Sequence, residues 1–358
     1  MRIGIIGAGN AARNIHLPGF RLCADAEVAA VCDADAGAAK ATGVAETVGD
    51  YRDLIGRADI EAVVVATPNF LHREIVLAAL GAGKHVLCEK PLALNAGEAQ
   101  EMLHAAEASG KVHMTAFTYR FTPAVQYARR LIERGELGEL RTVRAAYLMA
   151  LSGRLLGWRS QKRLAGSGVL ADIGSHLVHL AQFLAGDIRT LTAAQRGFQH
   201  DPAPDVEDWI SFLAEFASGA CGTLEISRVA PGRGADVSEE MFIELYGTEG
   251  SIVFSLQDPW GLMAALGEEA RDPAKPLRRY EVPPEFLKLT GSPRDVMAHD
   301  RRLGYRYDQA FQFVESVKLR KTRAPSFADG VRCQAVLDAA LESAQTRRWV
   351  EVNECARG

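Results

Sequence analysis

Three ionisable residues are spaced so that one helical face would carry all of them. Asp172, His176 and His179 lie at positions i, i+4 and i+7 of a segment that follows Gly166-Ser167-Gly168, and in a helix these positions share a face. A carboxylate beside an imidazole can hold the tautomer of the ring and raise its basicity, which a general base near neutral pH requires. A solvated face with two incidental histidines, or a metal site with three ligands, has the same spacing.

Near the N-terminus, a glycine-rich turn predicts a dinucleotide-binding site. Residues 3–6 are an apolar run typical of a short buried strand, and they lead into a G-x-G-x-x-A turn that opens a helix. Glycines in such a turn let backbone N–H groups approach a pyrophosphate at the positive end of the helix. The residues predicted to bind the cofactor here are Gly7, Ala8, Gly9, Asn10 and Ala11.

The next predicted strand, residues 28–32, ends in Asp33. An acidic residue about 20 residues beyond a glycine turn typically accepts hydrogen bonds from the ribose of the cofactor. Because no arginine lies near Asp33 in the sequence, its carboxylate would repel a 2′-phosphate. The sequence therefore predicts NAD rather than NADP as the cofactor.

Two further turns follow predicted strands, at the place where open α/β sheets bind ligands. Thr67-Pro68-Asn69 follows residues 62–66 and offers hydroxyl and amide groups, while Glu89-Lys90-Pro91 follows residues 85–88. Pro91 could fix the backbone at Lys90 in a cis or otherwise restricted geometry. An ordinary turn and a solvated lysine would explain the same residues.

Apolar strands alternate with helices in the first third of the chain. Strands that are apolar on both faces, separated by helices such as the one predicted at residues 70–82, indicate a parallel sheet that is covered on both sides. Residues 1–121 are therefore predicted to form an α/β, doubly wound Rossmann domain that binds NAD. The predicted strands are residues 3–6, 28–32, 62–66, 85–88 and 112–116.

The pattern changes in residues 122–358, which are predicted to form an α+β domain for substrate binding and oligomerisation. Short loops at residues 217–219 and 247–250 join neighbouring strands as hairpins, so the sheet should be largely antiparallel, with helices on one face. Residues 258–300 are rich in proline and glycine and are predicted to be irregular, as a lid or an oligomer arm. The predicted strands are residues 141–151, 190–199, 207–216, 221–228, 241–246, 251–256 and 349–352, and the predicted helices are residues 122–134, 305–320 and 329–346.

Two of these strands carry apolar side chains on both faces of the sheet. Because only one face packs against helices, the other face would be apolar and exposed in a monomer. The same surface on a symmetry mate would cover it, so the sequence predicts an isologous homodimer through this sheet. The residues expected to face outward are Trp209, Leu213, Phe242 and Tyr246, or their neighbours of opposite parity.

Composition argues against several classes of function. The 358 residues are 48% hydrophobic and 24% charged, and the formal charge of -4 gives no reason to expect nucleic acid or an anionic membrane as a partner. No apolar run approaches the roughly 20 residues of a membrane span, and the N-terminus lacks the features of a signal peptide, so a cytoplasmic location is expected. The six cysteines lie far apart without a C-x-x-C pair, which favours reduced thiols over zinc or redox chemistry.

Four segments together closely resemble the Gfo/Idh/MocA oxidoreductases. They are the glycine turn at residues 7–12, Thr67-Pro68-Asn69 followed by His72, residues 82–91 ending in Glu89-Lys90-Pro91, and residues 166–176 with their D-x-G-x-H pattern. The resemblance covers the whole chain in order. It implies an NAD-linked dehydrogenase of sugars or inositols whose dimers often pair into tetramers.

The resemblance also implies roles for individual residues. Lys90 would contact the nicotinamide and the substrate hydroxyl, and Asp172 and His176 would complete the catalytic set, with His176 accepting the proton. Ser167 replaces the second glycine of the motif, and His179 stands where many members carry aspartate, which leaves the substrate open. The remaining assignments are cofactor contacts for Thr67, Pro68, Asn69, His72, Glu89, Trp158 and Arg159, and substrate contacts for Tyr119, Arg120, Arg159 and His179.

The predicted activity is the oxidation of a secondary hydroxyl of a cyclic sugar, anhydrosugar or inositol by NAD, or the reduction of the matching ketone. One alternative uses NAD without net redox, through a transient sugar oxidation that permits glycoside elimination or epimerisation. Another is a non-catalytic NAD-binding sensor, which the intact set of Lys90, Asp172 and His176 argues against. No metal is predicted, because hydride transfer does not need one.

Overall fold

The computed structural model describes residues 1–150, 157–198, 205–233, 240–272, 274–298 and 304–353. The chain divides into two compact units, one of Met1–Thr118 with Lys288–Gln334 and the other of Tyr119–Leu287 with Ala335–Gly358. The sequence-based division at residue 121 assigned everything that follows to the second domain, whereas residues 288–334 pack with the first unit.

The first unit is built on a six-stranded parallel sheet with the strand order β3-β2-β1-β4-β5-β6, which confirms the doubly wound Rossmann prediction. Val63 and Val65 lie in one buried cluster while Ala62 and Val64 lie in another, so both faces of the central strand are covered. The strands are β1 (Arg2–Ile6), β2 (Glu27–Cys32), β3 (Thr47–Val48), β4 (Ala62–Val65), β5 (His85–Cys88) and β6 (His113–Thr115). The helices between them are α1 (Leu17–Arg21), α2 (Ala36–Lys40), α3 (Tyr51–Ile55), α4 (His72–Gly81) and α5 (Ala96–Ser109).

The second unit contains a nine-stranded sheet with the order β14-β13-β12-β11-β7-β10-β9-β8-β15. Among the described strands of this second sheet, only β7 and β10 pair in parallel, which confirms a largely antiparallel sheet. The strands are β7 (Leu140–Leu148), β8 (Ile188–Arg196), β9 (Trp209–Phe216), β10 (Cys221–Ser227), β11 (Glu240–Gly247), β12 (Gly250–Ser255), β13 (Gly261–Leu266), β14 (Arg278–Glu281) and β15 (Val350–Glu351). The helices are α6 (Pro123–Glu133), α7 (Lys162–Ala165), α8 (Ser175–Ala185) and α9 (Glu268–Arg271).

The prediction that residues 258–300 are irregular was wrong for two strands. β13 pairs with β12 and β14 and so extends the sheet at one edge. Pro259, Gly267, Pro276 and Pro283 flank these strands, and Gly261 is the first residue of β13, so none of the five interrupts the ladder. Residues 273, 299 and 300 of this segment, and residues 151 and 199 of two predicted strands, lie outside the described residues.

The outward face of the second sheet has the first of the two predicted parities. Ile210 and Phe212 of β9 are buried, whereas Leu213 is 50% exposed. Tyr246 of β11 is 36% exposed, and Trp209 and Phe242 are partly exposed. Apolar side chains therefore remain on the solvent side of this sheet in the single chain.

Two C-terminal helices, α10 (Asp308–Lys318) and α11 (Phe327–Thr346), explain why residues 288–334 pack with the first unit. Phe313 of α10 packs edge-on against Phe20 of α1, with ring centroids 6.4 Å apart. Phe327, at the start of α11, lies in the core cluster that also contains Val63. No helix among the described residues combines the length and the apolarity that a membrane span needs.

Candidate active site

The glycine turn of the first unit combines a left-handed backbone conformation at Gly7 with open space at Gly9. Gly7 has a φ of 99°, and a Cβ there would lie 2.4 Å from the carbonyl oxygen of Ala66, so glycine is required. A Cβ on Gly9 would meet no atom within 4 Å. The fold therefore does not itself require glycine at position 9, whereas the close approach of a pyrophosphate would.

Asp33 is held beside this turn by two backbone N–H groups. Ala8 N–H donates to Oδ2 at 2.7 Å, and Asp35 N–H donates to Oδ1 at 2.9 Å. The residue is only partly buried, and a carboxylate has about four acceptor positions. Asp33 is thus fixed in place with acceptor capacity left for ribose hydroxyls, and the residues present fit NAD.

His72 supports the two turns that follow β4 and β5. Its Nδ1 lies 3.0 Å from the carbonyl oxygen of Pro91 and its Nε2 lies 3.0 Å from that of Thr67. Burial lowers the pKa of His72, and a neutral imidazole has only one N–H to donate. The ring is fully buried between these two backbone carbonyls, so His72 links the two turns, and its assignment as a residue lining the cofactor stays a prediction.

Glu89 is held by a histidine that the sequence analysis missed. Nε2 of His16 lies 2.8 Å from Oε1 of Glu89, and Lys90 N–H donates to Oε2 at 3.2 Å. Burial alone would raise the pKa of Glu89, but its hydrogen bond with His16 and the charge of Lys90 outweigh burial and lower it. An ionised carboxylate therefore stands next to Lys90, and the peptide from Lys90 to Pro91 is cis.

The other predicted cofactor residues of the first unit differ in exposure. Ala8 and Asn69 are buried, whereas Gly9 and Asn10 are exposed. The partly exposed ones are Ala11, Thr67, Pro68, Glu89 and Lys90.

In the second unit, the D-x-G-x-H stretch begins as a single π-helical turn. Leu170–Gly174 forms this turn, and α8 continues from Ser175 without a break. π-helical turns inside helices frequently occur at functional sites. Asp172 lies in the π-turn and is partly exposed, and Nε of Arg159 lies 3.8 Å from its Oδ1.

His176 packs against Tyr119, which in turn contacts a second tyrosine. The ring of Tyr119 meets the ring of His176 edge-on, with centroids 4.5 Å apart. The hydroxyl of Tyr119 lies 3.1 Å from that of Tyr147, a β7 residue that the sequence analysis missed. Tyr119 is 3% exposed and His176 is 8% exposed. The imidazole of His176 is therefore held by packing on one side.

The remaining predicted substrate residues lie on the same unit. His179 stacks on Phe183 with ring centroids 6.5 Å apart, and the guanidinium of Arg120 lies 4.0 Å from the centroid of Phe183. The guanidinium of Arg159 lies 4.3 Å from the centroid of the Trp158 ring. Nowhere in the described ranges do three His, Cys, Asp or Glu side chains come together in a way that would bind a metal.

Two family models match the chain in order. A model described as an oxidoreductase family with an NAD-binding Rossmann fold matches residues 1–117, and a model of the GFO/IDH/MocA C-terminal domain matches residues 125–253.

Individual proteins are similar over different shares of the chain. Levoglucosan dehydrogenase of Pseudarthrobacter phenanthrenivorans is 35% identical over 350 residues, which cover 88% of this chain and 86% of that protein. A solved structure of levoglucosan dehydrogenase in complex with NADH and levoglucosan has a TM-score of 0.89 at 33% identity, covering 98% of this chain and 99% of that one. A 2,7-anhydro-N-acetylneuraminate hydratase of Escherichia coli is 33% identical over 219 residues, or 58% of this chain and 55% of that protein.

Proposed function

Because the chain belongs to the Gfo/Idh/MocA family of oxidoreductases, we propose that it oxidises a secondary hydroxyl of a cyclic sugar or anhydrosugar with NAD, or reduces the matching ketone. The similarity to levoglucosan dehydrogenase is the main support for this proposal, because the similarity extends over both the glycine turn and the stretch with Asp172 and His176. An anhydrosugar is therefore the first substrate to test, and inositols belong to the same panel.

The first unit supplies the groups that bind the cofactor. Backbone N–H groups of the glycine turn hold the pyrophosphate, and Asp33 accepts hydrogen bonds from the ribose hydroxyls. Bound NAD would supply the acceptor for a hydride from the carbinol carbon of the substrate. His72 keeps the turns at Thr67 and Pro91 at a fixed separation, which keeps Lys90 in place.

The hydroxyl proton needs a separate acceptor. We assign that role to the imidazole of His176, and we assign to Lys90 the stabilisation of the negative charge that develops on the substrate oxygen. Asp172, next to Arg159, helps to orient the substrate. These assignments rest on the resemblance of the motifs, and the packing of Tyr119 on His176 supports them because a general base must be held in one orientation.

A second candidate is a reaction without net redox, in which the sugar is oxidised only transiently. The likeness to a protein named as a hydratase favours it, because a hydratase produces no net oxidation. In this case NAD would stay bound and be regenerated in every turnover.

One assay separates these candidates. The enzyme is incubated with NAD and a panel of anhydrosugars, aldoses, glycosides and inositols, and both NADH absorbance and product are measured. Net NADH supports the dehydrogenase, and product without net NADH supports the internal redox cycle. Binding of NAD without any product would favour the sensor and contradict both enzymatic proposals.

We also propose a homodimer, or a tetramer formed from two dimers, through the outward face of the second sheet. Leu213 and Tyr246, 50% and 36% exposed, mark this apolar face together with the partly exposed Trp209 and Phe242. An isologous contact would bury all four residues in both copies, which is the usual arrangement in symmetric dimers.

A further inference from the structure

The helix that carries Asp172 and His176 begins without a capping side chain of its own. Neither Val169 nor Gly174, the residues that precede the π-turn and α8, makes a side-chain capping hydrogen bond. The first N–H groups of a helix have no partners inside the helix, and leaving them unpaired in a buried site is costly. These groups must therefore be paired with another part of the chain.

Glu207 pairs with three consecutive N–H groups at and just before the start of this helix. Gly168 N–H donates to Oε2 at 3.0 Å and Leu170 N–H donates to Oε1 at 2.9 Å, so both oxygens of the carboxylate are used. Val169 N–H donates to the backbone carbonyl oxygen of Glu207 at 3.1 Å. Glu207 is 6% exposed, so no more than a small part of this contact is open to water.

A further hydrogen bond connects Gly168, and so its contact with Glu207, to Asp172. The carbonyl oxygen of Gly168 accepts a hydrogen bond from Asp172 N–H at 3.1 Å. Gly168 thus binds Glu207 through its N–H and Asp172 through its carbonyl. A Cβ on residue 168 would lie 2.2 Å from the carbonyl oxygen of Glu207, so only glycine permits this approach.

Glu207 itself is held in place by a buried ion pair at the next residue. Nε of Arg228 donates to Oδ1 of Asp208 at 2.6 Å, and the two side chains are 2% and 0% exposed. Phe198 N–H donates to Oδ2 of Asp208 at 2.7 Å. The segment that presents Glu207 is therefore fixed on two sides, and a fixed acceptor can define where the helix begins.

We propose that Glu207 is a positioning residue for the catalytic pair. Its two carboxylate oxygens accept hydrogen bonds from the N–H groups of Gly168 and Leu170, and this contact fixes the positions of Asp172 and His176. This inference rests on the proposed function for the roles of Asp172 and His176, but not for the contact itself. Burial raises the pKa of Glu207, while the N–H groups of Gly168 and Leu170 and the charge of Arg228 oppose that shift.

Glu207→Gln tests the proposal in the full-length enzyme. The amide oxygen can accept one N–H, but the amide NH₂ would face the other N–H, so the start of the helix must shift. We expect kcat to fall by about 10- to 100-fold, because a displacement of about 1 Å can reduce turnover about 100-fold, and we expect the KM for NAD to stay unchanged. Glu215→Gln is the matched control, because Glu215 is an exposed residue of β9.

Imidazole NMR gives a readout that needs no substrate. The ring resonances of His176, assigned with the His176→Gln variant, should move in Glu207→Gln and stay in place in Glu215→Gln. Unmoved resonances together with an unchanged kcat would overturn the proposal. If no sugar on the panel is turned over by the wild type, the proposed function fails while the NMR comparison still decides this inference.

Two further measurements cover the case in which Glu207→Gln does not fold. Gly168→Ala disturbs the same contact at its helix end, because the added Cβ would clash with the carbonyl oxygen of Glu207. This variant should move the same His176 resonances. In the wild type, the amide hydrogens of Gly168 and Leu170 should exchange slowly with solvent, as buried hydrogen-bonded amides do. Fast exchange of both amides in the folded protein would show that the cap does not exist and would overturn the proposal.

Discussion

His113 should make the first unit sensitive to mild acid. It lies in β6 and is 6% exposed. Its Nδ1 accepts a hydrogen bond from Phe327 N–H at 3.2 Å, and its ring packs on that of Phe327 with centroids 4.9 Å apart. A ring nitrogen that accepts a hydrogen bond carries no proton, so this contact requires the neutral imidazole. Consistent with this, burial lowers the pKa of His113 to about 4, although Asp329 opposes the shift.

The size of the effect follows from the two pKa values. In the unfolded chain a histidine titrates at about 6.5, so between that pH and about 4 the unfolded state binds a proton that the folded state does not. The stabilisation of the folded state by neutral His113 is fully present above about pH 6.5. It is lost as the pH falls, by about 1.4 kcal/mol per pH unit. Over this range the loss from His113 alone amounts to about 3 kcal/mol.

The assay is urea unfolding of the wild type and of His113→Asn from pH 7.5 to 4.5, a range of about 3 units that spans the histidine titration. The asparagine oxygen takes the place of Nδ1 and can accept from Phe327 N–H, but it does not titrate. The free energy of unfolding of the variant should fall less steeply with acid than that of the wild type. His104→Asn, at an exposed position of α5, should follow the wild type. Parallel curves for wild type and His113→Asn would refute the reasoning.

Other predictions concern the cofactor, the chemistry and the assembly. Asp33→Ala should narrow the preference for NAD, measured as the ratio of the dissociation constants of NAD and NADP; a wild type that prefers NADP by about tenfold would contradict it. His176→Ala should lower turnover by about 10²–10⁴-fold with NAD affinity retained, and near-normal turnover would exclude this residue as the base. His179→Asp should change the ranking of substrates on the panel. An unchanged ranking would show that His179 does not contact the substrate. Trp209→Glu should reduce the mass measured by light scattering towards the 38.8 kDa of one chain; an intact oligomer would show that another surface forms the interface.

The local pattern of the sequence determined that the first sheet is parallel and which side chains of the second sheet face outward. The strand around Val63 is apolar at every position, and such runs alternate with helices, which is enough to predict a parallel sheet. In β9, alternation places Phe212 inside and Leu213 outside, because neighbouring side chains of a strand point to opposite faces. Gly7 was predictable in the same way, since the type of residue reflects the turn that it must adopt.

Only the tertiary structure decided which distant groups complete the site. Glu207 caps residues that lie 39 and 37 positions earlier in the chain, and His16 meets Glu89 across 73 positions. A carboxylate two residues before a strand carries no sign of the helix that it will cap. The pairing depends on how β9 and the π-turn pack, and packing is a property of the folded chain as a whole.

The packing of residues 288–334 on the first unit has the same explanation. The apolar face of α10 predicts that Phe313 will be buried, but it does not specify whether Phe20 of α1 or the second unit will cover it. The hydrophobic effect is non-directional, so the sequence determined that these residues must be buried, and the shape of the first unit decided where.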